Sequence, residues 1–225
     1  GSLVAMVHCN NCTSDLNAWV GLFKEYQELL GIPVDMNEVY GKLYNNALTG
    51  DADCGGLISY NYISGEPLTG LAEGRPLFVR SANDKFNLAN FIRTHLYASV
   101  GVLKLGNDIL FNEEKVSVDR ITGHGGLFKT KGVGQRVLAA AINSPISVME
   151  TAGEGGAWGI ALLASYLVNN EKQQTLADYL DEVVFAGDAG VEIKPTKEDV
   201  DGFNKYIESY KACLAIEEAA VKAKQ

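Results

Sequence analysis

Between Gly123 and Gln135 the sequence reads GHGGLFKTKGVGQ, thirteen residues that include five glycines and two lysines. Glycine lets backbone N–H groups come close to an anion or a flat base, and a loop between a strand's carboxyl end and a helix start is where open α/β sheets bind ligands. A nucleotide is the natural guest. A tight turn holding nothing is the other reading, and one such loop does not separate the two. A second glycine-rich stretch, TAGEGGAWG from Thr151, shifts the balance toward binding, because consecutive strand-loop-helix units open on the same edge of a sheet. The dinucleotide fingerprint G-x-G-x-x-G fits poorly, since Phe128 stands where its third glycine belongs. No glycine precedes Lys and Ser or Thr at Walker A spacing either. Glu150, at the end of the next apolar run, keeps a nicotinamide site open as an alternative.

Other reactive side chains are sparse. Cys9 and Cys12 form CNNC, and Cys54 and Cys213 stand alone. A structural zinc site needs a second close pair, and His8 leaves this one a ligand short, so no metal ligands are assigned. Reduced thiols at a strand end are the reading, with a redox pair as the alternative, because a following helix can lower a thiol pKa. His95 falls on an apolar helical stripe and reads as a core histidine. Asp15, Asp51 and Asp53 read as a helix start and a solvated loop.

The elements that must position these residues follow from periodicity. Leu3 to Val7 reads as a strand, and Leu16, Trp19, Val20, Phe23 and Leu30 as the inner face of a helix stopped by Gly31 and Pro33. A second helix runs from Met36 to Leu48, LISYNYI reads as a strand, and Asn87 to Phe111 as a long central helix. Then come a strand over Val116 to Ile121, the glycine loop, a helix to Ile142, the strand PISVME and a helix through Ala161 to Val168. An amphipathic closing helix starts at Lys197. The 225 residues are 47% apolar with a net charge of -9, enough for a substantial core and contrary to the basic face that nucleic acid requires. No apolar run reaches the roughly twenty residues of a membrane span and no signal peptide is recognisable, so a cytoplasmic protein is expected, with neither nucleic acid nor membrane as partner.

The stretch DRITGHGGLFKTKGVGQRVLAAAINSPISVMETAGEGGAWGIALLASYL resembles the adenosine-binding segment of the FGGY carbohydrate kinases. The matching features are Gly125-Gly126 after a strand, a helix ending in Asn143-Ser144-Pro145, a strand, and the helix start Gly156-Ala157-Trp158-Gly159-Ile160-Ala161. YNYISGEPLTG is similar to the Leu-Ser-Gly-Glu loop of xylulokinases, and FNKYIESYKACLAI to the family's closing helix. The spacing from Gly125 to Pro145 is closer to ribulokinases, and His124 stands where relatives often carry glycine.

The resemblance implies an α/β domain of the ribonuclease-H-like, actin/hexokinase type, a mixed sheet flanked by helices. It makes residues 1–225 the C-terminal nucleotide-binding domain of a two-domain kinase whose N-terminal sugar-binding domain is absent from this chain. ATP with Mg2+ is the implied cofactor, and a ketopentose, L-ribulose or D-xylulose, the phosphoryl acceptor. The general-base aspartate is expected in the N-terminal part, so no catalytic residue is assigned here and the chain alone is expected to be inactive. The implied nucleotide contacts are Gly123, Gly125, Gly126, Leu127, Phe128 and Lys129, with Lys131 near phosphate and Ser64 and Gly65 on a facing loop. Its own N-terminal domain is the implied protein partner, with a homodimer left open. A nucleotide-binding module without catalysis and a nicotinamide oxidoreductase domain are the alternatives.

Overall fold

The helix α3, Leu88–Asp108, sits at the centre of the molecule, and every residue from Asn90 to Val102 on it is buried. Its start is fixed by Asn87, whose side chain accepts from the Asn90 N–H at 2.9 Å. The computed structural model describes residues 4–149, 155–169, 173–186 and 190–223. Around α3 pack α1 (Ser14–Leu29), α2 (Met36–Ala47), β1 (Ile58–Tyr60), α4 (Val133–Ile142) and the closing helix α7 (Lys197–Ala212). β1 pairs antiparallel with β2 (Leu77–Val79), and β3 (Ile146–Val148) antiparallel with β4 (Val191–Ile193). Among the described residues the other α-helices are α5 (Gly155–Asn169), the short α6 (Leu176–Tyr179) and α8 (Leu214–Ala223).

The expected helices form close to where periodicity puts them, and Gly31 ends the α1 region with the left-handed φ of +69° that such a stop requires. Two expected strands do not form. Residues 4–7 are irregular, with Val4 and Met6 exposed, and Leu3 lies outside the described residues. Residues 116–121 are irregular too, with Val116 and Val118 exposed. The cause is register length: β3 offers three residues, one edge is taken by β4, and the other accepts only a single parallel bridge at Thr122. β2 and β4 carry no sequence signal, being three residues each after glycine-rich or charged stretches.

A buried ion network joins three of the packed helices. Arg93 on α3 donates to Asp199 on α7 at 2.7 Å, and Arg136 on α4 donates to the same carboxylate at 2.6 and 3.1 Å. The other Arg93 donors reach the Tyr97 hydroxyl and the carbonyls of Leu48 and Gly50. Asp199 is 2% exposed, and Thr196 donates to it at 2.7 Å while capping α7. Next to this network α7 lies against the loop between α2 and β1 at Gly202, where a Cβ would collide with the Ala52 carbonyl. Beyond it Tyr210 donates to the Tyr62 hydroxyl at 2.7 Å, and Tyr60 donates to the Tyr210 carbonyl at 2.6 Å.

Burial alone would raise the Asp199 pKa, but the hydrogen bonds from Arg136 and Thr196, and the charges behind them, hold it below the usual carboxylate range. A carboxylate with a depressed folded pKa contributes stability that is complete above its unfolded pKa and is lost as pH falls through the folded value. Removing the charge leaves two arginines uncompensated, one of them fully buried, so Asp199→Asn is expected to lose about 3–5 kcal/mol at pH 7. Urea unfolding from pH 7 down to pH 3 checks this, since the gap between wild type and variant should narrow toward the acid end.

Candidate functional site

The glycine loop is fastened at both ends to β3. Ser147 donates its N–H to Ile121 and accepts from the Gly123 N–H at 2.8 Å. At the other end the buried Gln135 donates through Nε2 to the carbonyls of Ile146 and Val191 at 3.1 and 2.7 Å. Between these anchors, Gly126 to Phe128 make one tight helical turn. Gly125, which caps the turn, has φ 106° and ψ -178°, a region essentially restricted to glycine. The left-handed demand therefore falls on Gly125 rather than on Gly126, which is absent from the positive-φ positions. A Cβ at either residue would meet nothing within 4 Å.

The open side of this turn borders a cavity of about 540 Å3. The loop contributes Gly126, Lys129 and Thr130; the start of α1 contributes Thr13 and Asn17; α2 contributes Met36, Asn37, Tyr40, Gly41 and Tyr44. Tyr40 donates to the Asn17 side-chain oxygen at 3.0 Å, and its ring meets Tyr44 edge-on, 5.5 Å between centroids. A volume of this size, with aromatic walls and a few polar groups, suits a nucleotide-sized ligand.

The expected site residues divide. Gly126 and Lys129 are on the cavity wall. Leu127 is buried in the core, and the Phe128 ring lies over Gly123, where a Cβ would meet it at 2.5 Å. This apolar pair stabilises the loop from below and does not line the cavity. Ser64 and Gly65 are held elsewhere: Asn11 exchanges hydrogen bonds with the Ser64 N–H and carbonyl at 3.1 Å each, and Asn10 donates to the Gly65 carbonyl at 2.8 Å. Neither lines the cavity. The residues 151–154 of the second glycine stretch, and Glu150, lie outside the described residues. Sequence reading missed the α2 wall, because the helical spacing marks Val39, Leu43 and Ala47 as the inner face and gives no role to Tyr40 and Tyr44.

Other candidates resolve as structure. His95 is 1% exposed, bonded through Nδ1 to the Ser59 hydroxyl at 2.9 Å, and burial pulls its pKa down to about 3, so it is neutral at physiological pH. Asp15 is buried in the first turn of α1 and accepts from the Trp19 indole at 3.2 Å. It belongs to the helix start, as expected, but is buried there, and burial raises its pKa. Asp51 takes up Lys85 and Asn90, and Asp53 pairs with Lys205. Cys9 and Cys12 are free thiols. Burial, with Glu66 and Cys12 adding to it, pushes the Cys9 thiol up to about 11, opposite to the shift an activated thiolate needs. Among the described residues no group of three or more His, Cys, Asp or Glu comes together as a metal site, and no described helix is long and apolar enough to cross a membrane.

Comparison with known proteins identifies the family and the fold. Residues 1–168 match the model of the C-terminal domain of the FGGY family of carbohydrate kinases. No curated protein matches the chain. Among solved structures, xylulose kinase from Rhodospirillum rubrum is similar with a TM-score of 0.64 at 16% identity, over 92% of this chain and 38% of its own. Gluconate kinase from Lactobacillus acidophilus gives 0.58 at 22%, over 79% and 35%. Plasmodium falciparum glycerol kinase, solved with ADP, gives 0.59 at 16%, over 88% and 37%. The chain thus spans little more than a third of the length of these structures, and the fold they share with it is the α/β, ribonuclease-H-like fold of the actin/hexokinase type.

The contrast between the two central glycines is measurable. Gly125→Ala is expected to cost about 1–3 kcal/mol through its backbone conformation. Gly126→Ala, with an ordinary backbone and open space, should leave stability unchanged or raise it by up to about 1 kcal/mol. Chemical denaturation of the two variants side by side checks the pair.

Proposed function

The chain belongs to the FGGY family of carbohydrate kinases, and we propose that it is the nucleotide-binding half of a cytoplasmic enzyme that transfers the γ-phosphate of ATP to a ketopentose, L-ribulose or D-xylulose. The observation that carries this reading is the open, anchored turn at Gly126 on the wall of a nucleotide-sized cavity, inside the segment that matches the family. The family match, rather than the cavity, is what speaks against the nicotinamide alternative.

Phosphoryl transfer asks the protein mainly for positioning and charge stabilisation. In this reading Gly125 and Gly126 let the backbone approach the nucleotide, and Lys129 on the same wall adds positive charge near its phosphates. Leu127 and Phe128 keep the turn in place from the core side, while Ser64 and Gly65 act at a distance from the cavity. The general base and most sugar contacts come from an N-terminal domain outside this chain. The exposed Ile160, Leu167 and Val168 on α5 support the existence of such a partner surface. Mg2+ would supply charge neutralisation on the phosphates; the described residues form no ligand cluster for it, and no step here is assigned to an ion held by this chain.

Two experiments test the reading. Gly126→Val in the full-length enzyme should raise KM for ATP at least tenfold while leaving KM for the sugar near its wild-type value, because a Cβ there meets no protein atom within 4 Å and the branched side chain is added on the cavity wall. Wild-type ATP dependence in a normally stable variant would put the nucleotide elsewhere. The purified 225-residue chain should show no turnover of L-ribulose or D-xylulose above a protein-free control, and measurable turnover would move the catalytic base into this chain.

A further inference from the structure

The buried carboxylates are not all neutralised alike. Asp199 is met by two guanidinium groups, and Glu217 on α8 by Arg75, whose N–H donates to it at 2.6 Å and whose charge acts on it. Glu66, in the turn that follows β1, is 0% exposed and is met by amides alone. Its Oε2 accepts from the Asn10 N–H at 3.1 Å and from the Asn11 side-chain amide at 3.2 Å, and its Oε1 accepts nothing from the protein. The basic residues of the two segments that meet here, 8–12 and 61–75, are His8 and Arg75, and they bond to Asn10 and to Glu73 with Gly74. Donors around Glu66 are spent as well: Ser64 Oγ gives to Asn11 Oδ1 at 3.3 Å, Thr69 Oγ1 to the Glu66 carbonyl at 3.1 Å, and Asn10 Nδ2 to the Gly65 carbonyl at 2.8 Å. Asn61 adds a second buried oxygen of the same kind, since its Nδ2 donates to the Cys12 carbonyl at 2.7 Å and its Oδ1 accepts nothing. What is left open along residues 10–12 is oxygen, beside one negative charge. A buried ion in that state is costly, and a water molecule would complete the hydrogen bonds without balancing the charge.

We propose that Glu66 Oε1 holds a monovalent alkali cation, K+ or Na+, with Asn61 Oδ1 as a second ligand, at the seam between residues 9–12 and the turn after β1. Hard cations take carboxylate and amide oxygens, and a single positive charge balances a single carboxylate. A divalent ion would ask for further carboxylates, and among the described residues no such group comes together. Entry does not require the core to open, because Asn10, Ile63 and Ser64 beside Glu66 are exposed. Once bound, the ion clamps the segment that leads into α1 to the turn that leaves β1. Neither ligand lines the cavity at the glycine loop, so the inference stands apart from the nucleotide reading.

Thermal melting of the full-length enzyme in KCl, NaCl and tetramethylammonium chloride at one ionic strength reads the site. General screening is equal in the three salts, and the bulky organic cation does not fit between two buried oxygens. Wild type should melt about 2–4 °C higher in KCl or NaCl, and the gain should saturate as alkali salt replaces the organic one. Glu66→Gln keeps an acceptor for Asn10 and Asn11 but removes the charge, so it should melt alike in all three salts. Asn61→Ala, which removes the second ligand, should need more alkali salt to reach half the gain. If wild type melts alike in the three salts, the carboxylate is balanced by something other than a cation and the inference falls. It falls equally if Glu66→Gln keeps the wild-type gain, because the ion then binds elsewhere. Should Glu66→Gln not fold, the wild-type titration and Asn61→Ala decide, and a midpoint that Asn61→Ala leaves unmoved overturns the site.

Discussion

One carboxylate, that of Asp199, decides whether this molecule has a centre. It accepts from guanidinium groups on α3 and α4 and from the hydroxyl that caps its own helix, and both it and Arg93 are buried while Arg136 and Thr196 reach it from the surface side. A buried charge is costly unless it is fully partnered, so the three helices cannot slide relative to one another without uncovering it. Apolar packing supplies most of the driving force for the core, but it tolerates rearrangement. The ion network does not, and it fixes the axial position of α4, hence the end of the glycine loop that runs into it.

From α4 the constraint passes to the loop through Gln135. Its side-chain amide reaches carbonyls on both β3 and β4, while Gly123 and Ser147 fix the loop's other end on β3. Each of these groups would be an unsatisfied polar atom if the loop shifted. Leu127 and Phe128 then fill the space beneath the turn, which leaves Gly126 and Lys129 as the parts that face outward. Preorganisation is the useful consequence: a backbone surface for a ligand exists without any ordering step at binding.

Much of this was legible in the residues. The α3 spacing, the Gly31 stop and the density of glycine after Thr122 each have a local physical cause, and each appears where expected. What was not legible depends on partners remote in sequence. Val116 to Ile121 alternates like a half-buried strand, yet the neighbour it would need is three residues long and already paired. Arg93 sits among apolar residues on α3, and nothing within a helical turn shows that its counterion lies 106 positions away. Tyr40 belongs to the same class: the period of α2 shows a buried face at Val39 and Leu43, and only the packing of α1 beside it turns the neighbouring tyrosine into a wall. Leu127 and Phe128 illustrate the converse, apolar residues in a ligand loop that serve the core.

The placement of Asp199 also sets the timing of events during synthesis. At roughly 5–20 residues per second, Arg93 leaves the ribosome about 5–20 s before the residue that neutralises it, and Arg136 also emerges first. The tyrosines of α7 that close over β1 arrive later still. Until then the nascent chain can assemble α1 to α4 only loosely, with two cations seeking water and a tyrosine-lined seam uncovered, the kind of surface on which chaperones act. A domain keyed by its closing helix is thus obliged to fold after translation of that helix rather than during it.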